Sequence, residues 1–248
     1  ALPPSPPGRL VVLLFQKDLF ERSRVGGLMK MAARGREVVV GLAPEDRVAV
    51  LVYDSRLRLL CDFSGDRGRV LRAVEHGALF ERDPPWTVSA FPSLAAGLDP
   101  AAARQAAYLE SALLELGRAL EPLPGAKSLV LFGYGLGRLT GGRVVPENDY
   151  AAARQALERA RVSVFSLDVT NADAHSLEAG LALVAADTGG FYARTHLFPD
   201  QALARLGRAL QGHYELTLEA PTESGLHDLR VEVPGRGAEV LARPSFES

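Results

Sequence analysis

A single cysteine, Cys61, excludes an intrachain disulfide and any cysteine-based zinc site. It lies in the strand-like run RLRLLCDF and reads as a core thiol. Lysine is nearly absent: Lys17, Lys30 and Lys127 are the only three, so arginine supplies most of the positive charge. Neither sign of charge prevails. The formal net charge of -2 gives no reason to expect nucleic acid or an anionic membrane as partner. No apolar run approaches the ~20 residues that a membrane-spanning helix needs; Leu10–Phe15 has the length of a strand. The five histidines, at 76, 175, 196, 213 and 227, show no metal-ligand spacing. There is no Gly-x-Ser-x-Gly elbow to hold a hydrolase nucleophile.

What remains is the composition of an ordinary globular α/β chain: 248 residues, 47% hydrophobic and 23% charged, enough to bury a sizeable core. Residues 1–9, within ALPPSPPGRL, carry four prolines and read as an extended linker. Such a linker is what remains when a signal peptide or an upstream domain is removed, so export is an expectation.

Strand-like and helix-like segments then alternate. RLVVLLF (9–15) is a continuous apolar run, the mark of a strand buried on both faces of a parallel sheet. Residues 23–42 have near-helical spacing, and 47–54 with 56–63 read as a hairpin joined by the short connection Asp54-Ser55. Helices are expected over 66–80, with Ser64 or Asp66 as cap, and over 100–123, where Asp99 caps and Pro100 opens the first turn. SLVLFGYG, VSVFSLDV (162–169) and FYAR read as strands, and 148–162, 173–190 and 198–212 as helices. Residues 134–147 read as a long, mobile surface loop, since GYGLGRLTGG lacks the third glycine of a phosphate cradle. After Gly212, HYELTLEAP, LHDLRVEVPG and AEVLARPSF alternate apolar and polar residues, as antiparallel strands do. The expected fold is α/β: a doubly wound, mostly parallel sheet over 10–212 with one antiparallel edge strand, and a β extension over 213–248 packed on it.

Several stretches together resemble the von Willebrand factor type A-like domains, and within them the bacterial "VWFA-related" proteins common in Acidobacteria. The carriers are APEDRVAVLVYDSRLRLLCDFSGDRGRVLRAV (43–74), SLVLFGYG, ARQALERARVSVFSLDV (153–169), LVAADTGGFYAR (183–194) and the HYELTLEAP-to-AEVLAR ending. In that family's metal-binding members, the first strand ends in Asp-x-Ser-x-Ser, a later strand ends in Asp before Gly, and a loop supplies a Thr. These oxygens suit a hard cation such as Mg²⁺, whose shell a partner's carboxylate completes.

Laid on this chain, the first motif falls on Gln16, Lys17, Asp18, Leu19 and Phe20, and the later Asp on Gly133 or Tyr134. Thr87 or Ser93 stands for the loop Thr. Phe20 and Gly133 offer no side-chain oxygen, and Lys17 adds a positive charge. The resemblance therefore implies a non-catalytic protein–protein interaction domain, exported to the periplasm or outside the cell, that has lost its metal site and binds no Mg²⁺ or Mn²⁺. The expected contact surface is Gln16, Asp18, Phe20, Trp86, Tyr134 and Asp168, with Trp86 as an anchor on a Pro-rich loop. Two alternatives stay open. One is a structural accessory subunit of a larger assembly. The other is an enzyme using Asp168, Asp173 and His175 as a small metal or acid/base cluster, for which the plainer reading is that Asn171 and Asp168 serve a turn and Asp173 caps a helix.

Overall fold

The computed structural model describes residues 8–17, 22–78, 88–171, 175–196, 198–211, 224–235 and 239–247. The continuous apolar run of the sequence becomes β1 (Leu10–Gln16), buried at every position. A strand with no solvent-facing side must be covered on both faces, and it is the centre of the sheet. With β2 (Arg47–Tyr53), β3 (Leu57–Ser64), β4 (Lys127–Gly133), β7 (Val162–Asp168) and β8 (Tyr192–Arg194) it builds a six-stranded sheet ordered β3-β2-β1-β4-β7-β8. All neighbours are parallel except β2 and β3, the expected hairpin.

Alternate residues of β1 feed the two cores. Leu10, Val12 and Leu14 pack with Leu129, Leu131, Leu113 and Leu116 on one face. Val11, Leu13 and Phe15 pack with Val130, Phe132, Val39 and Leu206 on the other, where the Phe15 and Phe132 rings stack at 4.6 Å. Burying each such side chain is worth ~1.5–3 kcal/mol, so these strands dominate the stability of the domain. The first face is covered by α4 (Leu109–Leu120), α5 (Tyr150–Arg159) and α6 (Glu178–Asp187), and the second by α1 (Arg22–Gly41) and α7 (Pro199–Gln211).

Four local expectations change. The helix predicted over 66–80 is α-helical only over Arg67–Arg72 (α2), capped by Asp66, and continues as a π-turn over Ala73–Gly77. The helix predicted over 100–123 is two, α3 (Pro100–Gln105) and α4. Ala106 and Leu109 are both buried, and the intervening Ala107 carbonyl accepts a 2.7 Å bond from the Tyr53 hydroxyl, so packing overrides an Ala-rich helical sequence. The predicted loop at 134–147 contains a hairpin, β5 (Arg138–Thr140) and β6 (Arg143–Val145). Its turn is Gly141-Gly142, both at positive φ, the conformation that two-residue hairpin turns require. The helix predicted from 173 begins at Glu178.

The C-terminal residues form no continuation of the main sheet among those described. β9 (Leu226–Asp228) and β10 (Ser245–Glu247) pair antiparallel as a separate ribbon; HYELTLEAP lies outside the described residues. The segment reaches back to the α/β layer through Arg243, whose Nη1 donates to the Glu158 carbonyl at 2.8 Å, and through Glu239, paired with Arg205.

Candidate functional site

Parallel sheets of this order change winding direction between β1 and β4, and ligands lie in the crevice beyond the carboxyl ends of those strands. Here that crevice is closed at its base by one side chain. Gln16, only 5% exposed, ends β1. Its Oε1 accepts from the backbone N–H of Tyr134 at 2.9 Å and of Gly135 at 3.3 Å, and its Nε2 donates to the Gly135 carbonyl at 2.9 Å. Both ends of the amide are therefore committed to the turn after β4. On β4 itself Gly133 leaves the room: a Cβ there would stand 2.9 Å from Gln16 Oε1.

Above this lock opens a cleft of about 640 Å³, lined among others by Lys17, Tyr53, Arg58, Tyr108, Glu110 and Tyr134. Its walls are fixed by internal bonds. Burial pushes the Tyr53 phenol well above its usual range, so it stays a donor to Ala107. Arg58 is buried and ion-paired with Asp54. Glu110, 1% exposed, accepts the Glu147 N–H at 3.1 Å, tying α4 to the segment after β6. Tyr108 by contrast is 54% exposed, and Tyr134 is half-buried against the second core. The β5–β6 hairpin adjoins the cleft and exposes Leu139 and Val145.

One strand further along the same edge, Asp168 ends β7 in register with Gly133. Its carboxylate, 1% exposed, receives four hydrogen bonds from the described residues. The Thr170 N–H (2.9 Å) and Oγ1 (2.7 Å) donate to Oδ1. His175 Nε2 (2.7 Å) and the Tyr192 hydroxyl (2.8 Å) meet Oδ2. The Tyr192 hydroxyl also lies 3.3 Å from Glu178 Oε2, and Arg194 grips both oxygens of Glu178, at 2.7 and 3.0 Å. Burial and the bond to Asp168 raise the Tyr192 phenol, while Arg194 holds the Glu178 carboxyl below its usual range.

Of the predicted contact residues, Gln16 and Tyr134 meet at the cleft, and Asp168 lies on the neighbouring strand with its carboxylate turned into its own cluster. Asp18, Phe20, Trp86, Thr87 and Asp173 lie outside the described residues. Ser93 is not at this edge. It donates at 2.6 Å to Asp62 on β3, which runs antiparallel, beside residues 48–50 at the start of β2. Asp168 does serve a turn, through Thr170. Sequence reading missed Tyr53, Glu110, Glu178 and Tyr192. It also found no metal spacing for the histidines, yet the ligand atoms of Asp168, His175 and Glu178 lie within 4.8 Å of one another. The sequence offered Asp168, Asp173 and His175 as a small cluster at this strand end; the signal for Glu178 was its place three residues after His175, at a helix start.

No family model matches the sequence, and no curated protein matches it. Solved structures do. An aerotolerance-related membrane protein from Bacteroides fragilis superimposes with a TM-score of 0.54 at 15% identity, over 82% of this chain and 98% of that one. A von Willebrand factor type A protein from Catenulispora acidiphila gives 0.54 at 14% identity, over 82% of this chain and 42% of that one. The von Willebrand domain of the type V pili tip protein Mfa5 from Porphyromonas gingivalis gives 0.52 at 13% identity, over 85% of this chain and 98% of that one. Likeness at this level of identity shows the fold, and the fold is that of a von Willebrand factor type A-like domain.

Proposed function

We propose that this von Willebrand factor type A-like domain is a non-catalytic protein-interaction module that works at the carboxyl edge of its sheet without a metal ion in the crevice between β1 and β4. The observation that carries the reading is the Gln16 lock. At the strand end where metal-binding relatives of this fold would place a carboxylate, the chain places an amide whose oxygen and nitrogen are both spent on the backbone of residues 134–135. The opposite strand end supplies glycine and tyrosine in place of a second carboxylate. A hard divalent cation needs several oxygens free to converge, and the described residues around Gln16 supply none from a side chain of β1 or β4.

What the edge offers instead is the chemistry of protein contact sites. Exposed Tyr108, half-buried Tyr134 and the stems of Lys17 and Arg58 line a concave surface. Tyrosine and arginine in such settings carry a disproportionate share of binding energy. One neighbour in fold is a pilus tip protein and another a membrane protein, which supports an exported setting within an assembly. Leu139 and Val145 on the hairpin extend the surface and suit an accessory subunit equally well.

The test is photo-crosslinking from benzoylphenylalanine placed at position 108 or 134, with exposed position 118 on α4 as control, in cells of the source organism. The reading expects one and the same protein adduct from 108 and 134, none from 118, and no change on omitting Mg²⁺. Adducts that require Mg²⁺, or that form from 118 but not from 108 and 134, contradict it.

A further inference from the structure

We infer that Asp168, His175 and Glu178 form a binding site for a borderline divalent cation, Zn²⁺ in the first instance, one strand away from the cleft and independent of the contact surface proposed above. Three observations carry this.

The first is geometry. Metal–ligand bonds of ~2.0–2.2 Å set adjacent ligand atoms ~3 Å apart. His175 Nε2 and Asp168 Oδ2 are 2.7 Å apart, and all three ligand atoms fall within 4.8 Å. One imidazole and two carboxylates are a nitrogen–oxygen set that suits Zn²⁺, Mn²⁺ or Fe²⁺, and the order of intrinsic affinities favours Zn²⁺ among these.

The second is the outer shell. Metal-ligating carboxylates are held in place by further hydrogen bonds. Asp168 Oδ1, the oxygen away from the cluster, is fixed by Thr170 twice, and Glu178 is fixed by Arg194 twice. The inward oxygens, Asp168 Oδ2 and Glu178 Oε2, share the Tyr192 hydroxyl. Tyr192 is a positioning residue: on metal binding it keeps Glu178 as partner while Asp168 Oδ2 turns to the cation. His175 then offers its Nε2 lone pair, with its proton on Nδ1. Two carboxylates against the single charge of Arg194 leave one negative charge for the cation to meet.

The third is Ser166. It lies on the same face of β7 as Asp168, in register with Tyr192, and is wholly buried with a hydroxyl that has no hydrogen-bond partner among the described residues. A buried polar atom without a partner is costly, and a water held by the cation would satisfy it.

The experiment titrates the whole chain with Zn²⁺ by calorimetry and with Co²⁺ by visible absorption, in wild type, His175→Gln, Glu178→Gln and Gln16→Ala. His175→Gln keeps a donor for Asp168, so the fold survives, as circular dichroism checks. The expected result is one ion per chain, Co²⁺ bands that show nitrogen–oxygen coordination, and affinity lost by more than the ~10–100-fold that an outer-shell change costs in both cluster variants. Gln16→Ala keeps full affinity. Absence of stoichiometric binding, or binding that His175→Gln leaves unchanged, overturns the site. Either result leaves the crosslinking test of the contact surface untouched.

Discussion

Gln16 and Gly133 are complementary: a Cβ added to Gly133 would stand 2.9 Å from the amide oxygen of Gln16, and 3.1 Å from Leu181 Cδ2. A large, fully bonded side chain on β1 therefore coexists with β4 only while position 133 has no side chain. Gly133→Ala is expected to destabilise by ~1–3 kcal/mol through overpacking. In a Gln16→Ala background the same change has lost its main obstacle. Denaturant unfolding of the four proteins is expected to give a coupling of at least ~0.5 kcal/mol, the double variant costing less than the sum of the singles. Strict additivity would show that the two positions do not compete for space.

Gln16→Glu isolates the donor half of the lock. The carboxylate still accepts from Tyr134 and Gly135, but it faces the Gly135 carbonyl, 2.9 Å away, with no proton to give. A stability loss of ~1–3 kcal/mol is expected at neutral pH, shrinking as the pH falls and the carboxyl regains a proton. An unchanged unfolding midpoint would contradict the donor role.

Asp62 anchors the segment after the second helix. Burial works to raise its pKa, but the Ser93 hydroxyl and the backbone N–H groups of Ser89, Phe63 and Leu94 outweigh burial and hold it below the usual carboxylate range. A carboxyl lowered in the folded state lends stability that is present above its unfolded pKa and lost as the pH drops through the folded value. Wild type is therefore expected to lose stability below about pH 4 more steeply than Asp62→Asn. The variant itself is destabilised by ~1–3 kcal/mol or more, since it sets an amide N–H against backbone donors. Parallel acid limbs for the two proteins would refute this.

Lys127 works in the opposite direction. It is 3% exposed at the start of β4 and bonds the Ala160 carbonyl at 2.8 Å. Burial, with Arg161 and Arg243 nearby, pushes its pKa from 10.5 down to about 8. The unfolded chain holds the extra proton between those values, so this residue's contribution rises with pH across that window, by up to roughly 3 kcal/mol. Buried tyrosines with raised pKa values, such as Tyr150, act against it above about pH 10. The difference between wild type and Lys127→Met, from pH 7 to 10.5, isolates the lysine. A pH-independent difference would show that Lys127 is not buried as a cation.

Much of the architecture was legible in short stretches. Leu10–Phe15 announced a central strand because every residue is apolar, and Asp54-Ser55 announced the hairpin because the flanking runs were strand-like and close. The break between Gln105 and Leu109 was not legible, because its cause is a tyrosine on β2. The Gly141-Gly142 hairpin was written in the sequence and read as loop. At the site, the resemblance located Gln16 and Tyr134, and the end of the VSVFSLDV strand located Asp168, at one sheet edge. It could not show what they do there. The partners of Gln16 are 118 and 119 residues away, and Asp168 meets Tyr192 only because β8 pairs beside β7. Such contacts are set by strand order, which no local pattern encodes.

The most direct measurement is thermal unfolding of the His175→Gln chain in excess Mg²⁺ against EDTA, the substitution removing the separate cluster from play. A cation at ~1,000 times its Kd would add about 4 kcal/mol, a shift of several degrees in Tm. The lock at Gln16 predicts coincident transitions. An upward shift in Mg²⁺ that depends on Asp18, abolished in Asp18→Ala, would mean that the crevice between β1 and β4 still holds a metal and would contradict the account.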